Sequence, residues 1–188
     1  MAPVIRELQR HPSRAEVVVC VTGQHRQMLD QVLDTFEIKP DIDLQLMREN
    51  QDLSSLTATA IEALDGAIYE SKPDLILVQG DTTTAMVGAL VGYYHRIPVG
   101  HIEAGLRTRD PYNPFPEEIN RRLISVLATY HFAPTRAAAE TLVREGCSRD
   151  RVYLTGNTVV DALLITVQKE ASVGGGAGWL PGRKGILV

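Results

Sequence analysis

Apolar positions along this chain fall into short unbroken runs separated by longer stretches of helical period. The runs at 16–22 (EVVVCVT), 74–79 (DLILVQ), 98–103 (PVGHIE), 130–133 (YHFA) and 151–155 (RVYLT) predict strands. Several are continuously apolar rather than alternating, which suits parallel strands covered on both faces. Helical patterns occupy 24–36, 54–70, 83–95, 117–130, 136–145 and 158–169. This alternation predicts an α/β fold, a doubly wound parallel sheet with helices on both faces. Helix boundaries carry their own chemistry. Pro116 precedes Glu117 and Glu118, whose charges suit a helix N-terminus. Thr135 and Asn157 stand where N-caps belong, and Gly146 where a helix should stop.

The two ends differ from the rest. The chain opens in an amphipathic helix with Val4, Ile5 and Leu8 on one side and no strand before it. Residues 174–178 read as a flexible linker, and 184–188 as the start of a new strand.

Composition narrows the function classes. The 188 residues, 44% hydrophobic and 22% charged, are enough for one domain with a proper core. A net charge of −4 gives no basic footprint for nucleic acid. No apolar run approaches the ~18–20 residues of a membrane span. The first residues are too charged for a secretory signal. Cys20 and Cys147 read as free thiols in a reducing cytoplasm, and no CxxC or close Cys/His cluster suggests a metal.

Ligands of open parallel sheets bind beyond the carboxyl ends of the strands, and the polar clusters fall there. Asp81 follows Gly80 after the second run, as a helix N-cap, a catalytic base or both. Glu103 ends the third run, and a carboxylate so placed needs a partner. Arg107, four residues on, would supply one in a structural pair, or would help tune Glu103 as an acid or base. Glu117 opens a helix and is spaced to pair with Arg121. Gln24, His25 and Gln27 sit at another helix start, where phosphate is attracted. His95, His101 and His131 read as half-buried residues rather than ligands, and His11 as a surface residue. Three carboxylates at a sheet's ligand edge, without a metal motif, point to acid/base chemistry on an organic substrate.

These residues lie in longer motifs. VTGQHRQMLDQVL (21–33), PDLILVQGDTTT (73–84), IPVGHIEAGLRT (97–108), PFPEEINRRL (114–123) and LTGNTVVDALL (154–164) resemble, in order and spacing, the non-hydrolysing UDP-N-acetylglucosamine 2-epimerases. The resemblance covers nearly the whole chain before the glycine-rich stretch. It implies the N-terminal, Rossmann-like half of a two-domain fold of the glycosyltransferase-B type, with the active site in the cleft. It also implies a cytoplasmic enzyme for polysaccharide precursors, paired as a homodimer through this domain, and no metal or redox cofactor. The implied reaction interconverts UDP-N-acetylglucosamine and UDP-N-acetylmannosamine. UDP is eliminated to leave a 2-acetamidoglucal, then added back with the C2 proton delivered to the other face.

By motif, Asp81, Glu103 and Glu117 fall on the family's acid/base carboxylates; which abstracts and which returns the proton stays open. Arg107 and Thr82 fall on substrate-side positions, Arg107 anchoring Glu103 or meeting substrate charge. Gln24, His25 and Gln27 resemble the loop that contacts a second, activating UDP-N-acetylglucosamine. Some relatives carry an arginine just before the position of Gln51, where this chain has Asn50 with Arg48 nearby.

The sequence departs from the family at both ends. A central first strand with a FGTRPEAIK-like loop, and a second domain with a catalytic histidine and most nucleotide contacts, are not found in it. The resemblance therefore divides the chain into an N-terminal domain, 1–171, and a linker with the start of a second domain, 172–188. It implies a piece that does not epimerise alone. Two other readings are an epimerase of a related UDP-2-acetamido sugar and a non-catalytic UDP-sugar-binding or regulatory domain.

Overall fold

The computed structural model describes residues 1–23, 26–47 and 51–173. Helices alternate with parallel strands, as the apolar pattern predicts. In chain order the elements are α1 (Ala2–Gln9), β1 (Cys20–Val21), α2 (Arg26–Phe36), β2 (Ile42–Asp43), α3 (Leu53–Ser71), β3 (Ile76–Gln79) and α4 (Thr83–Tyr94). Then follow β4 (Val99–Ile102), α5 (Glu117–Leu127), β5 (Tyr130–Ala133), α6 (Arg136–Arg144), β6 (Val152–Leu154) and α7 (Thr158–Val173).

Four strands form one parallel sheet in the order β3-β4-β5-β6. Every residue of β4 is buried, so it is the sheet's centre in packing as well as in order. Gly100 permits this. A Cβ there would stand 2.7 Å from a Leu77 side-chain carbon and 3.0 Å from one of Phe132. The flanking strands thus fold their side chains over its empty position. α4 lies against β3 and between α3 and α5, with Val87, Ala89 and Val91 fully buried. Such an all-round apolar helix is what a central covering position demands.

The expected single sheet is in two pieces. β1 and β2 pair parallel with each other, Cys20 opposite Ile42 and Val21 opposite Asp43, and β1 has no ladder to β3. The strand expected at 16–22 contracts to Cys20–Val21. Upstream, an aspartate replaces the ladder: the Val19 N–H donates to the Asp41 carboxylate at 2.8 Å. Helix α5 stops at Leu127 instead of reaching 130. The glycine-rich stretch and the run at 184–188 lie outside the described residues, and the boundary drawn at 171/172 falls in the last turn of α7.

Beyond β4 the chain makes a loop, 103–116, pinned by a buried charge. Glu118, in the first turn of α5, is fully buried. Its carboxylate accepts from the N–H groups of Thr108 (3.0 Å) and Arg109 (3.3 Å) and from the Arg122 guanidinium at 2.7 and 2.9 Å. Burial pushes this carboxyl up; the two N–H groups and Arg122 outweigh it and hold it below the usual range. Gly105 (φ +90°) lets the loop run along α6, since a Cβ there would meet the Ala138 carbonyl at 2.4 Å. Arg107 clamps the other side. It grips Glu145 at 2.7–3.2 Å and donates to Ser125 at 2.9 Å.

Two buried histidines lie side by side on the sheet, His101 of β4 opposite His131 of β5. His101 Nε2 meets the Gly80 carbonyl at 2.7 Å. A carbonyl only accepts, so Nε2 carries the proton. Burial, first of all, lowers the His101 pKa to about 4. The unfolded chain therefore binds this proton more readily than the folded one, and acid favours unfolding. We expect stability to fall by about 3 kcal/mol from this residue as pH drops from ~6.5 to ~4. Urea titrations across that range should show a shallower slope for His101→Gln. Glu118 has its pKa depressed, so its contribution is full above the ordinary glutamate range and is lost in stronger acid. Glu118→Gln should cost about 2–3 kcal/mol at pH 7, with the gap to wild type closing below pH ~4.

Candidate active site

Three strand ends and one helix start bring the polar groups together at the carboxyl edge of the larger sheet. β3 ends in Gln79-Gly80-Asp81, β4 in Glu103, and β6 runs through Gly156 and Asn157 into α7. α5 contributes Glu117, Asn120 and Arg121 from its first two turns.

Glu103 adopts φ +68°, a conformation that side-chain residues rarely tolerate. Strain of this kind persists only where surroundings fix it. Here two neutral amides do so. Gln79 Nε2 donates to one carboxylate oxygen at 3.4 Å, and Asn157 Nδ2 to the other at 3.3 Å. Gln79 Nε2 also reaches the Thr158 hydroxyl at 3.5 Å. Asn157 works twice, because its Oδ1 accepts from the Val159 N–H at 3.0 Å and so caps α7. The expected Glu103–Arg107 pair does not form. Arg107 is spent on Glu145 and Ser125, with 5% of its side chain exposed. A better-placed carboxylate from the end of α6 took it.

Asp81 is held by α5. Its carboxylate accepts from Arg121 at 2.5 Å, while Asn120 donates to its main-chain carbonyl at 2.9 Å. Asp81 is not the cap of α4. That role falls to Thr82, whose hydroxyl accepts from the Ala85 N–H at 3.2 Å and lies 3.1 Å from the Thr84 hydroxyl. Thr82 is exposed at the same edge, beside Asp81.

Glu117 does not pair with Arg121 as its spacing suggested. Arg121 turns instead to Asp81, with Glu118 at 3.7 Å behind it. Two atoms are left buried without a hydrogen-bond partner, Glu117 Oε2 and Arg121 Nε. Gln79 Oε1 is a third. An acceptor and a donor left open beside Asp81 and Glu103 suit a polar ligand, since buried polar groups are seldom left unpaired.

The structure thus gathers Asp81, Glu103, Glu117 and Thr82 at one sheet edge and places Arg107 behind the loop. Gln24 and His25 lie outside the described residues; Gln27 sits in the first turn of α2. Sequence reasoning did not single out Gln79 as a partner of Glu103, read Glu118 only as a helix N-terminal charge, and placed Asn157 at the strand-end edge and as a cap without pairing it to Glu103. Gln79 ends β3 in register with Ile102, the residue before Glu103, a pairing that only the structure supplies. Among the described residues, no group of three His, Cys, Asp or Glu side chains could hold a metal ion. No described helix is long and apolar enough to cross a membrane.

Comparison with known proteins gives this geometry its context. Residues 6–179 match the family described as UDP-N-acetylglucosamine 2-epimerase. The enzyme of that name from Neisseria meningitidis is 53% identical over 169 residues, 90% of this chain and 45% of the relative. The one from Bacillus subtilis is 51% identical over 168 residues, 89% of this chain and 44% of the relative. This chain therefore spans about half the length of the curated relatives it matches. The crystal structure of the Neisseria meningitidis epimerase bound to UDP-GlcNAc superposes with a TM-score of 0.88 at 52% identity, covering 91% of this chain and 46% of that one. With the Rossmann-like arrangement of strands and helices, the sequence motifs and the superposition in agreement, the chain belongs to the UDP-N-acetylglucosamine 2-epimerase family.

Proposed function

We propose that this chain supplies the acid/base half of an epimerase that interconverts UDP-N-acetylglucosamine and UDP-N-acetylmannosamine. The observation that carries the reading is the convergence of Asp81, Glu103 and Glu117 at the carboxyl edge of one parallel sheet, each with a different set of partners. The C2 proton of the sugar is weakly acidic, so a base must sit within hydrogen-bond reach of it. Inversion then needs an acid on the opposite face. Two strand ends and one helix start supply the carboxylates for those two tasks. Each is anchored: Glu103 by Gln79 and Asn157, Asp81 by Arg121 and Asn120, and Glu117 by its place in α5. Such anchoring fixes the geometry before substrate arrives.

The leaving UDP needs positive or N–H stabilisation. Thr82, the N-cap of α4, stands at a helix N-terminus beside Asp81 and is assigned to that task. We assign Gln24, His25 and Gln27 to a second nucleotide site, on the likeness of 21–33 to the family's activator loop. The fuller setting of this reading is a cytoplasmic homodimer in polysaccharide precursor synthesis. The crystal structure of a relative bound to UDP-GlcNAc supports this substrate over a different acetamido sugar.

The test is a chimera in which residues 6–173 replace the matching region of the Neisseria meningitidis enzyme, with the 188-residue chain as control. In deuterated water the chimera should convert UDP-N-acetylglucosamine to the manno epimer and place deuterium at C2, both seen by NMR. Asp81→Asn, Glu103→Gln and Glu117→Gln should each lower the rate about 10²–10⁴-fold with circular dichroism unchanged. A folded chimera without turnover, or carboxylate variants that keep full rate, would refute the assignment.

A further inference from the structure

Asp81 leaves the sheet through a joint with little stiffness of its own. Gly80, which delivers it, has φ +75°, and a Cβ there would meet nothing within 4 Å. The glycine thus serves the backbone conformation rather than a shortage of space. Glycine populates negative φ just as readily, so the peptide joining it to Asp81 has no strong local reason to keep one orientation. That peptide is planar, and holding its carbonyl oxygen also holds the Asp81 N–H. His101 does the holding, with Nε2 donating to the Gly80 carbonyl at 2.7 Å. The Gly80 N–H is tied to the same strand and donates to the Ile102 carbonyl at 3.1 Å. On the far side of Asp81, Asn120 donates to its carbonyl at 2.9 Å. The two peptide planes that flank the Asp81 Cα are therefore each pinned by a buried side chain, one from β4 and one from α5. Two fixed planes fix φ and ψ, and with them the direction of the Cα–Cβ bond. Arg121 then has only the carboxylate's rotamer to settle.

A histidine is a costly choice for this place. It is 0% exposed, in the strand whose every residue is buried, between Val78 of β3 and His131 of β5. Among the described residues its Nδ1 has no hydrogen-bond partner. An apolar side chain would fill the same space without stranding a polar atom. What the histidine adds is an N–H aimed at Gly80. Burial also keeps the ring neutral near pH 7, its pKa lowered to about 4, so it brings no charge toward Asp81.

We propose that His101 is a positioning residue for Asp81: through the Gly80 carbonyl it fixes the peptide that aims the Asp81 carboxylate at the candidate active site. The inference rests on the acid/base role proposed for Asp81 and adds a residue that acts only through it. The rival is a histidine that matters for stability alone, and substitutions tell the two apart. Glutamine carries its amide nitrogen about as far from Cβ as the imidazole Nε2, so it can still donate to Gly80. Methionine fills a similar volume and donates nothing. Asparagine has a donor that stops short.

The test uses the chimera containing residues 6–173, with turnover followed by NMR and folding by circular dichroism. His101→Met should lower kcat roughly tenfold or more with KM within about twofold, the signature of a misaimed group rather than of lost binding. His101→Gln should restore most of that kcat. In an Asp81→Asn background, His101→Met should cause no further loss, because its effect passes through Asp81. Should the methionine variant fail to fold, His101→Asn takes its place against His101→Gln. Full kcat without the donor overturns the proposal. So does an equal loss in the glutamine variant, or a loss that persists undiminished in the Asp81→Asn background. Asp81→Asn at full rate would overturn the carboxylate reading and this inference together. A slow Asp81→Asn beside an unimpaired His101→Met would overturn this inference alone.

Discussion

A carboxylate taken fully out of water must be matched, and the matching of Glu118 organises the site. Its oxygens hold the N–H groups of Thr108 and Arg109 and the guanidinium of Arg122. The same helix turn carries Arg121, which lies 3.7 Å from Glu118 and reaches forward to Asp81. One buried negative charge thus fixes the loop after β4, the start of α5 and, through Arg121, the carboxylate after β3. Removing such a charge partner leaves others unpaired in a low dielectric, which is why the cost is large.

The candidate active site inherits this rigidity without sharing the burial. Glu103 is steadied by neutral amides, Asp81 by a guanidinium, and Glu117 keeps one oxygen unpartnered. Environments that differ among nearby carboxylates are how one site supports more than one acid/base role. The positive φ of Glu103 shows that its direction is imposed by the fold rather than chosen locally.

The sequence displayed the layers of the fold because burial on both faces leaves continuous apolar strands, as at 74–79 and 98–103. It displayed the candidate carboxylates within long motifs, Asp81 and Glu103 at strand ends and Glu117 at a helix start. It did not display their partners. Spacing proposes i, i+4 pairs, and by that rule Arg107 belongs to Glu103 and Arg121 to Glu117. Tertiary geometry offered each arginine a better carboxylate from elsewhere in the chain, Glu145 and Asp81. An apolar run at 16–22 looks like a strand whichever neighbour it finds, and only the ladders show that, among the described residues, β1 pairs with β2 and β3 with β4.

The central claim is spatial: the three carboxylates surround the reacting carbon of one nucleotide sugar. The direct measurement is a crystal structure of the chimera containing residues 6–173 with UDP-N-acetylglucosamine bound. The account predicts C2 of the sugar within about 3–3.5 Å of one of the carboxylates of Asp81, Glu103 and Glu117, with another on the opposite face of the ring. A sugar bound with C2 remote from all three, or with all three on one face, would contradict it.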